Sequence, residues 1–246
     1  MQEIMEWTHC PICKSENVSF TDGTGECHDC THKFRQRVPS QILPRYFEKQ
    51  YWNNDKNRQG ITSVRFSEEW TRWVNARMKI LESFQLIGHE DPSQIKILEF
   101  GCAEGMLLYA LKQKGYDVTG NDVCAVADES IRELGIEISK KPVEEFAMED
   151  RRFDLIMSFH VVEHLRDPLE VMGHLSSMLN VGGGMLLHVP VDDQELGNTD
   201  HFHFFTNKSC LRLMEQYTKD IRSDFVYYPI TKGGAALAAT YVGIKK

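Results

Sequence analysis

Residues 97–106 read ILEFGCAEGM: an apolar run interrupted by an acidic residue, then two glycines four positions apart. An apolar run that ends in a turn of small residues indicates a buried strand that leads into a helix. Glycine has no Cβ, so it accepts positive φ and lets the backbone come close to a ligand. The stretch therefore predicts a strand–loop–helix unit whose loop holds a ligand.

The spacing in this loop argues against two common nucleotide sites. A phosphate-binding P-loop needs Gly-Lys-Ser/Thr at its end, where this chain has Gly105-Met106-Leu107. A dinucleotide loop needs a third glycine for close helix–strand packing, and Met106 stands there. Glu99 in the strand end disfavours phosphate and favours a cationic ligand. Asp122, at the end of the next predicted strand, can accept both hydroxyls of a ribose.

Strands and helices alternate from residue 95 onward. We predict strands at 95–100, 117–121, 153–159 and 185–189, helices at 106–114, 125–134, 168–179 and 207–217, and a glycine turn at 182–184. Two last strands, near 221–228 and 237–244, are joined by a Gly-rich turn and must pair antiparallel. The pattern predicts an α/β fold: a Rossmann-like, seven-stranded, mostly parallel sheet with an antiparallel last strand and helices on both faces.

The N-terminal region contains two CxxC pairs, Cys10-Pro-Ile-Cys13 and Cys27-His-Asp-Cys30. This spacing is typical of a tetrahedral zinc site made by four thiolates, with a short hairpin around Asp22-Gly23 between the pairs. His9, His28 and His32 lie near enough in sequence to replace one cysteine. Because four thiolates leave no open position, we expect a structural zinc ion and a zinc ribbon.

The chain thus divides into a ribbon at 1–40, a linker with one short helix at 41–66, and an α/β domain at 67–246. The α/β domain opens with a helix at 67–87, for which Ser67 is a suitable N-cap. Its apolar residues recur at helical spacing, which indicates a packing face.

Composition restricts the class of protein. The 246 residues are 41% hydrophobic and 26% charged, as in soluble globular proteins, and no apolar run approaches a membrane span. The N-terminus shows no signal-peptide pattern, so we expect a cytoplasmic protein without a membrane partner. A net charge of -8 does not suit a non-specific polyanion binder. Nothing in the sequence indicates an oligomeric state.

Four motifs in order give a family resemblance: ILEFGCAEG, YDVTGNDV, FDLIMSFHVVEHLRDP and LNVGGGMLLHVP. Together they resemble class I S-adenosylmethionine-dependent methyltransferases, nearest to the small-molecule branch with a VxEH signature after the fourth strand. The resemblance covers residues 67–246. Two departures are Ala103, where the family often has glycine, and Asn121, where an apolar residue is more usual.

The resemblance implies a cofactor site for S-adenosylmethionine. Glu99 would orient the amino group of the cofactor, and Asp122 would take the ribose hydroxyls. The remaining cofactor contacts that it implies are the loop residues Gly101, Cys102, Ala103 and Gly105, then Val123, Val143 and Glu144 around the adenine, and Phe159 and His160 beside the sulfonium.

Methyl transfer is an in-line displacement that depends on positioning, and an oxygen or nitrogen nucleophile can also require a base. The candidates are His160, Glu163, His164, His201 and His203. His160 directly follows the fourth strand and is the leading candidate. His164 is usually a structural partner in the family that the chain resembles, and His201 should border the pocket.

Three functions stay open at this point. The leading one is methylation of a small molecule, such as a sugar, a glycan precursor or another metabolite, by O-, N- or C-transfer. The runner-up is a ribosomal RNA methyltransferase that docks RNA with its ribbon, since certain RNA guanine methylases carry such a module. The third is a scaffold without catalysis, which need not bind the cofactor.

Overall fold

The computed structural model describes residues 4–39, 68–88, 91–103, 105–123, 135–192, 200–230 and 234–246. The predicted linker at 41–66, the N-cap Ser67 and the predicted helix at 125–134 lie outside these ranges. Among the described residues, no helix has both the length and the apolar character needed to cross a bilayer.

The N-terminal residues form five short strands. These are β1 (Ile4–Glu6), β2 (Val18–Thr21), β3 (Thr24–Cys27), β4 (Lys33–Arg35) and β5 (Arg37–Pro39). Strands β2 and β3 pair antiparallel around the turn at Asp22-Gly23, which confirms the predicted hairpin.

The α/β region supplies the other elements described. In chain order they are α1 (Glu68–Ser83), β6 (Lys96–Phe100), α2 (Met106–Gln113), β7 (Asp117–Asn121), β8 (Glu137–Ser139), α3 (Val143–Ala147), β9 (Phe153–Phe159), α4 (Pro168–Met178), β10 (Leu179–Pro190), β11 (His203–Phe204), α5 (Asn207–Met214), β12 (Thr218–Ile230) and β13 (Gly234–Lys245).

The main sheet has seven strands in the order β12-β13-β10-β9-β6-β7-β8. Strands β6, β7 and β8 run parallel, and the last two strands, β12 and β13, pair antiparallel. This confirms the predicted fold class. One local prediction is wrong: residues 182–184 form part of the long strand β10 and not a turn before a shorter one. The three glycines suggested a turn, and Gly182 does adopt a left-handed backbone, at φ +80°, but within the strand.

Backbone contacts divide the chain into two compact units. The second unit contains the described residues from 68 to 157 and residues 178–184. Its core includes Leu98 from β6, Leu108 and Leu111 from α2, and Phe146 from α3, all fully buried. These residues fix the strands whose carboxyl ends carry the predicted cofactor loop.

The first unit contains the described residues up to 39, residues 158–177 and those from 185 onward. Here β11 extends the ribbon sheet, whose order is β11-β4-β3-β2, and His203 pairs with Phe34 in antiparallel register. Phe202 joins Trp7, Phe34 and Val38 in one buried apolar cluster. The ribbon therefore shares both sheet and core with residues near 203, and the domain boundary at residue 40 stays a prediction.

Candidate functional site

The loop after β6 adopts the left-handed backbone that its small residues permit. The φ angles of Gly101, Ala103 and Gly105 are +72°, +47° and +67°. Ala103 thus holds a conformation that glycine adopts without strain, which explains why glycine is common at this position in the family that the chain resembles. The backbone N–H of Gly105 donates to the Cys102 carbonyl at 2.7 Å, and α2 begins at the next residue.

Glu99 is a buried acid with one unsatisfied oxygen. Its side chain is 1% exposed, and its Oε1 lies 3.5 Å from Nη1 of Arg77 on α1. Among the described residues, Glu99 Oε2 has no hydrogen-bond partner. Burial raises the pKa of Glu99 to about 7, although the Arg77 charge opposes this. A buried carboxylate oxygen without a donor suits a ligand that brings a cationic donor, such as an ammonium group.

Asp122, directly after β7, contacts the loop that follows β6. Its Oδ2 accepts a hydrogen bond from the Ala103 N–H at 2.8 Å, and its own N–H donates to the Ser139 carbonyl at 3.0 Å. The preceding Asn121 donates from its side-chain amide to the carbonyls of Ser139 and Lys141. Asn121, the departure from an apolar residue, therefore anchors the segment after β8 by hydrogen bonds. Val123 follows Asp122 and is half-buried.

The remaining predicted contacts of this unit occupy the expected elements. Val143 and Glu144 form the start of α3, where Val143 is buried. Cys102 is buried, and burial raises the pKa of its thiol, so the thiol stays protonated at neutral pH. A Cβ at Gly120 would lie 2.6 Å from Cys102 Sγ, which shows how tightly β7 packs against the loop.

In the first unit, three predicted histidines surround Glu163. Glu163 is 1% exposed, and its Oε1 lies 3.4 Å from His160 Nδ1 and 4.0 Å from His164 Nε2. The rings of His164 and His201 meet edge to face with centroids 4.8 Å apart. Burial would raise the pKa of Glu163, but the three histidines outweigh it and hold that pKa below its ordinary value. We call Glu163, His160, His164 and His201 the histidine–glutamate cluster.

Backbone contacts hold the cluster in position. His160 has φ +55°, directly after β9, and its N–H donates to the His188 carbonyl of β10 at 2.9 Å. The His164 ring nitrogen Nδ1 donates to the Asp200 carbonyl at 2.7 Å. Phe159, the last residue of β9, is buried with its ring 5.5 Å from that of His188.

His203 lies outside the cluster and contacts the ribbon. Its Nδ1 is 3.0 Å from Nε2 of His32, and both side chains are buried. Burial lowers the pKa of His203 to about 4, so this imidazole is neutral near pH 7. A pair of neutral imidazoles can share one N–H···N hydrogen bond, which makes His203 a structural link between the ribbon and the segment that carries His201.

The four ribbon cysteines converge as the sequence predicts. Their sulfur atoms all lie within 4.8 Å of one another, with 3.5 Å between Cys10 and Cys30 and 3.6 Å between Cys13 and Cys27. A tetrahedral zinc ion with Zn–S bonds of about 2.3 Å separates its sulfurs by about 3.8 Å. His32, one of the alternative ligands, faces His203 instead. The donor set and its spacing therefore fit a structural zinc ion.

Sequence reasoning missed Arg77 and did not foresee the central position of Glu163. Arg77 lies on a helix that was interpreted as a packing face, yet it meets Glu99. Arg77 is one of three basic residues in α1, and periodicity alone cannot tell which of them contacts a buried acid. Glu163 was one candidate base among five, but the structure makes it the centre of the cluster.

Comparison with known proteins identifies the family. A family model described as a methyltransferase domain matches residues 68–218. Ubiquinone biosynthesis O-methyltransferase of Bordetella avium is 33% identical over 95 residues, which are 36% of this chain and 39% of that protein. The mitochondrial enzyme of the same name from Arabidopsis thaliana is 29% identical over 115 residues, 40% of this chain and 35% of that protein. The matched stretch thus spans about two fifths of these relatives.

Solved structures share the fold at low identity. Magnesium protoporphyrin IX methyltransferase from Synechocystis PCC 6803, solved with bound S-adenosylhomocysteine, has a TM-score of 0.60 at 13% identity and covers 83% of this chain and 99% of its own. A methyltransferase from Archaeoglobus fulgidus has a TM-score of 0.57 at 14% identity, covering 83% of this chain and 100% of its own. Because the family model matches more than half of the chain, the protein belongs to the methyltransferase domain family, and it has the fold of class I S-adenosylmethionine-dependent methyltransferases.

Proposed function

We propose that this protein transfers a methyl group from S-adenosylmethionine to a hydroxyl oxygen of a small molecule. The observation that carries the proposal is the contact between His160 Nδ1 and the buried carboxylate of Glu163 at 3.4 Å. A hydroxyl must lose its proton as it is methylated, and this pair supplies an oriented base. The O-methyltransferase relatives favour oxygen over the nitrogen and carbon acceptors that the sequence left open.

The cofactor would be held by the loop after β6 and by two acids. Bound S-adenosylmethionine supplies an electrophilic methyl group on a sulfonium. Glu99 offers an unsatisfied buried oxygen to the cationic amino group. Asp122 would accept hydrogen bonds from the ribose hydroxyls. The hydrogen bond that it accepts from the Ala103 N–H holds the loop next to this carboxylate. The left-handed backbone at Gly101 and Gly105 keeps side-chain atoms away from the ligand.

The proton would leave through His160. When Nδ1 carries its hydrogen towards Glu163, the lone pair on Nε2 is the acceptor. Glu163 then stabilises the imidazolium that forms, since its carboxylate is held charged by the cluster. General-base assistance of this kind contributes roughly 10²–10⁴-fold to rate. The family pattern puts the residue after the fourth strand beside the methyl group, and that role of His160 and Phe159 remains part of the proposal.

The ribbon would keep a structural role. Cys10, Cys13, Cys27 and Cys30 would bind one zinc ion and leave it no open position for substrate. The link from the ribbon to the segment that carries His201 supports a function in shaping the acceptor side. Neither RNA docking nor a scaffold role gains support from any contact in the described part of the chain.

The first test is calorimetric titration of S-adenosylhomocysteine into the purified protein. Micromolar affinity would support the cofactor site. No binding at millimolar ligand would contradict the proposal and favour the third function, a scaffold without catalysis. A screen with labelled S-adenosylmethionine would then compare phenols, nucleotide sugars and a ribosomal RNA fragment as acceptors. Methylation of RNA alone would replace the proposal by the runner-up.

The second test addresses the base. Asn adopts a left-handed backbone more readily than other non-glycine residues, so His160→Asn keeps the φ of +55° while removing the base. We expect kcat to fall by about 10²–10⁴-fold with little change in affinity for S-adenosylhomocysteine. His174→Gln, on α4 and outside the cluster, is the matched control. An H160N enzyme with unchanged kcat would exclude His160 as the base.

A further inference from the structure

Glu163, His164 and His201 form a second group of metal-ligand type, separate from the four cysteines. One ligand atom from each of these three residues lies within 4.8 Å of the other two. Two histidines and one carboxylate form a donor set that binds divalent transition metals and leaves open positions for water or substrate. The ribbon site, in contrast, is closed by four thiolates.

The buried carboxylate points to a ligand that the protein itself does not supply. Both side-chain oxygens of Glu163 are buried, and neither has a hydrogen-bond partner among the described residues. Buried carboxylate oxygens are normally satisfied, because leaving such a group without a partner is costly. The nearest histidine nitrogens lie at 3.4 and 4.0 Å from Oε1, at the outer range of ion-pair contact.

The tautomer of His164 fits the same conclusion. Its Nδ1 donates to the Asp200 carbonyl, so its Nε2 presents a lone pair on the side of Glu163. Metal-binding histidines are typically oriented in this way, by a hydrogen bond from the second ring nitrogen to a carbonyl or carboxylate. The N–H of Phe202 also donates to the Glu163 carbonyl, which ties the segment carrying His201 to the residue between the two histidines.

We infer that Glu163, His164 and His201 bind a divalent transition-metal cation of the zinc or cobalt type. A tetrahedral ion with bonds of about 2.1 Å separates its ligand atoms by about 3.4 Å, so binding draws these atoms, now within 4.8 Å of one another, closer by up to about 1.4 Å. The two histidines form the more accessible edge of this site, since the His164 side chain is 14% and His201 9% exposed, against 1% for Glu163. Three protein ligands leave a tetrahedral ion one further position for water or substrate.

The role of the ion rests on the proposed function, whereas its binding does not. A divalent cation that contacts the acceptor hydroxyl lowers the pKa of that hydroxyl, as it does for bound water. The O–H bond breaks, its proton passes to His160 Nε2, and the oxygen lone pair forms the bond to the methyl carbon. The leaving group is the neutral thioether of the cofactor, so charge balances without another reactant.

Cobalt(II) distinguishes the two metal sites by their ligands. The full-length protein is stripped of metal, reloaded with excess cobalt, desalted and analysed for cobalt per chain together with its absorption spectrum. Thiolate-to-cobalt charge-transfer bands report the ribbon, while a sulfur-free site adds cobalt without adding to those bands. We expect two cobalt ions per chain, one for each cluster of the described residues.

His201→Gln is the main variant, because its side chain is less deeply buried than that of Glu163 and glutamine keeps a polar group there, and Glu163→Gln is the second. Both should retain one cobalt per chain with unchanged thiolate bands, and His174→Gln should retain two. One thiolate-bound cobalt per chain in the wild-type protein would overturn the inference, as would two in both cluster variants.

Calorimetry with S-adenosylhomocysteine separates this result from the proposed function. Two cobalt ions without cofactor binding would uphold the metal site and reject the methyl transfer. Cofactor binding with only the ribbon cobalt would support the cofactor site of the proposed function and reject the second metal site.

Discussion

The cofactor loop and the histidine–glutamate cluster are built in opposite ways from the same chain. The loop side takes Glu99, Gly101, Ala103, Gly105 and Asp122 from 24 consecutive positions on two adjacent parallel strands. The cluster takes Glu163 and His164 from the end of β9 and His201 from a segment almost forty residues later. One site is local in sequence, and the other depends on long-range packing.

The difference has a physical origin. A glycine loop functions through its backbone, so residue type and spacing already describe its geometry. A cluster of side chains functions only when separate segments meet, and here the ribbon takes part in that meeting. Phe202 enters the ribbon core and His203 contacts His32, while His201 between Asp200 and Phe202 belongs to the cluster. The cluster should therefore depend on the ribbon, and the loop should not.

The largest expected effect follows from removing the ribbon ligands. In a C10S/C30S variant we expect loss of zinc and local unfolding of residues 4–39, since structural zinc contributes about 10–16 kcal/mol of apparent binding free energy in small domains. Hydrogen exchange should then accelerate at 200–206 as well, because those residues share sheet and core with the ribbon. Affinity for S-adenosylhomocysteine should change little.

Cys210→Ala is the control for this experiment, since Cys210 is buried but is not one of the four clustered thiols. If residues 200–206 stay protected from hydrogen exchange after loss of the ribbon metal, the histidine–glutamate cluster is held in place independently of the ribbon. Equal acceleration at 97–123 would contradict the contrast between the two sites.

Features that are local in sequence were predicted, whereas features that depend on long-range packing were not. The strands β7 and β9 and the start of α2 coincide with the sequence prediction, because apolar runs and small-residue turns are local signals. Thr206 caps α5 as expected, with its hydroxyl accepting from the Ser209 N–H. The four cysteines also follow from spacing alone.

What escaped prediction required knowledge of distant neighbours. Arg77 meets Glu99 across more than twenty positions, and no periodicity in α1 reports that. The histidines could be identified as candidates, but nothing local indicates that His203 contacts the ribbon while His201 joins Glu163. The glycines at 182–184 suggested a turn, but β10 continues through them.

A second prediction tests how tightly the cofactor loop is packed. Gly120→Ala would bring a Cβ to 2.6 Å from Cys102 Sγ and 2.8 Å from Ile138 Cγ1. Overpacking of this kind costs about 1–3 kcal/mol of unfolding free energy, measurable by denaturant titration. Gly184→Ala is the matched control in the same unit, since its nearest atom would be Leu155 Cδ1 at 3.5 Å. Equal stability of the two variants would contradict this packing.

A third prediction separates the two tasks of Asp122. Asp122→Ala removes both the acceptor for the Ala103 N–H and the proposed ribose contact, so affinity for S-adenosylhomocysteine should fall at least tenfold, or about 1.4 kcal/mol. Asp122→Asn keeps an oxygen for the Ala103 N–H and should lose less. Calorimetry that finds wild-type affinity in D122A would remove Asp122 from the cofactor site.

The smallest expected effect is a pH dependence at Glu99. Its pKa of about 7 in the cofactor-free protein means that the carboxylate is mostly neutral at pH 6 and mostly charged at pH 8. Affinity for the cationic amino group should therefore rise with pH, by up to about tenfold between pH 6 and 8. In Glu99→Gln this rise should disappear, with a lower affinity at pH 8.

The same raised pKa predicts a stability change of opposite sign. Between its ordinary value of 4.5 and about 7, the folded protein holds a proton on Glu99 that the unfolded chain has released. The contribution of Glu99 to the unfolding free energy of the cofactor-free protein therefore falls as pH rises through that window. Denaturant titrations of wild type and E99Q at pH 5 and pH 8 measure this contribution as the difference between their unfolding free energies at each pH. A constant difference would mean that Arg77 already holds Glu99 charged, and the pH dependence of cofactor binding should then vanish as well.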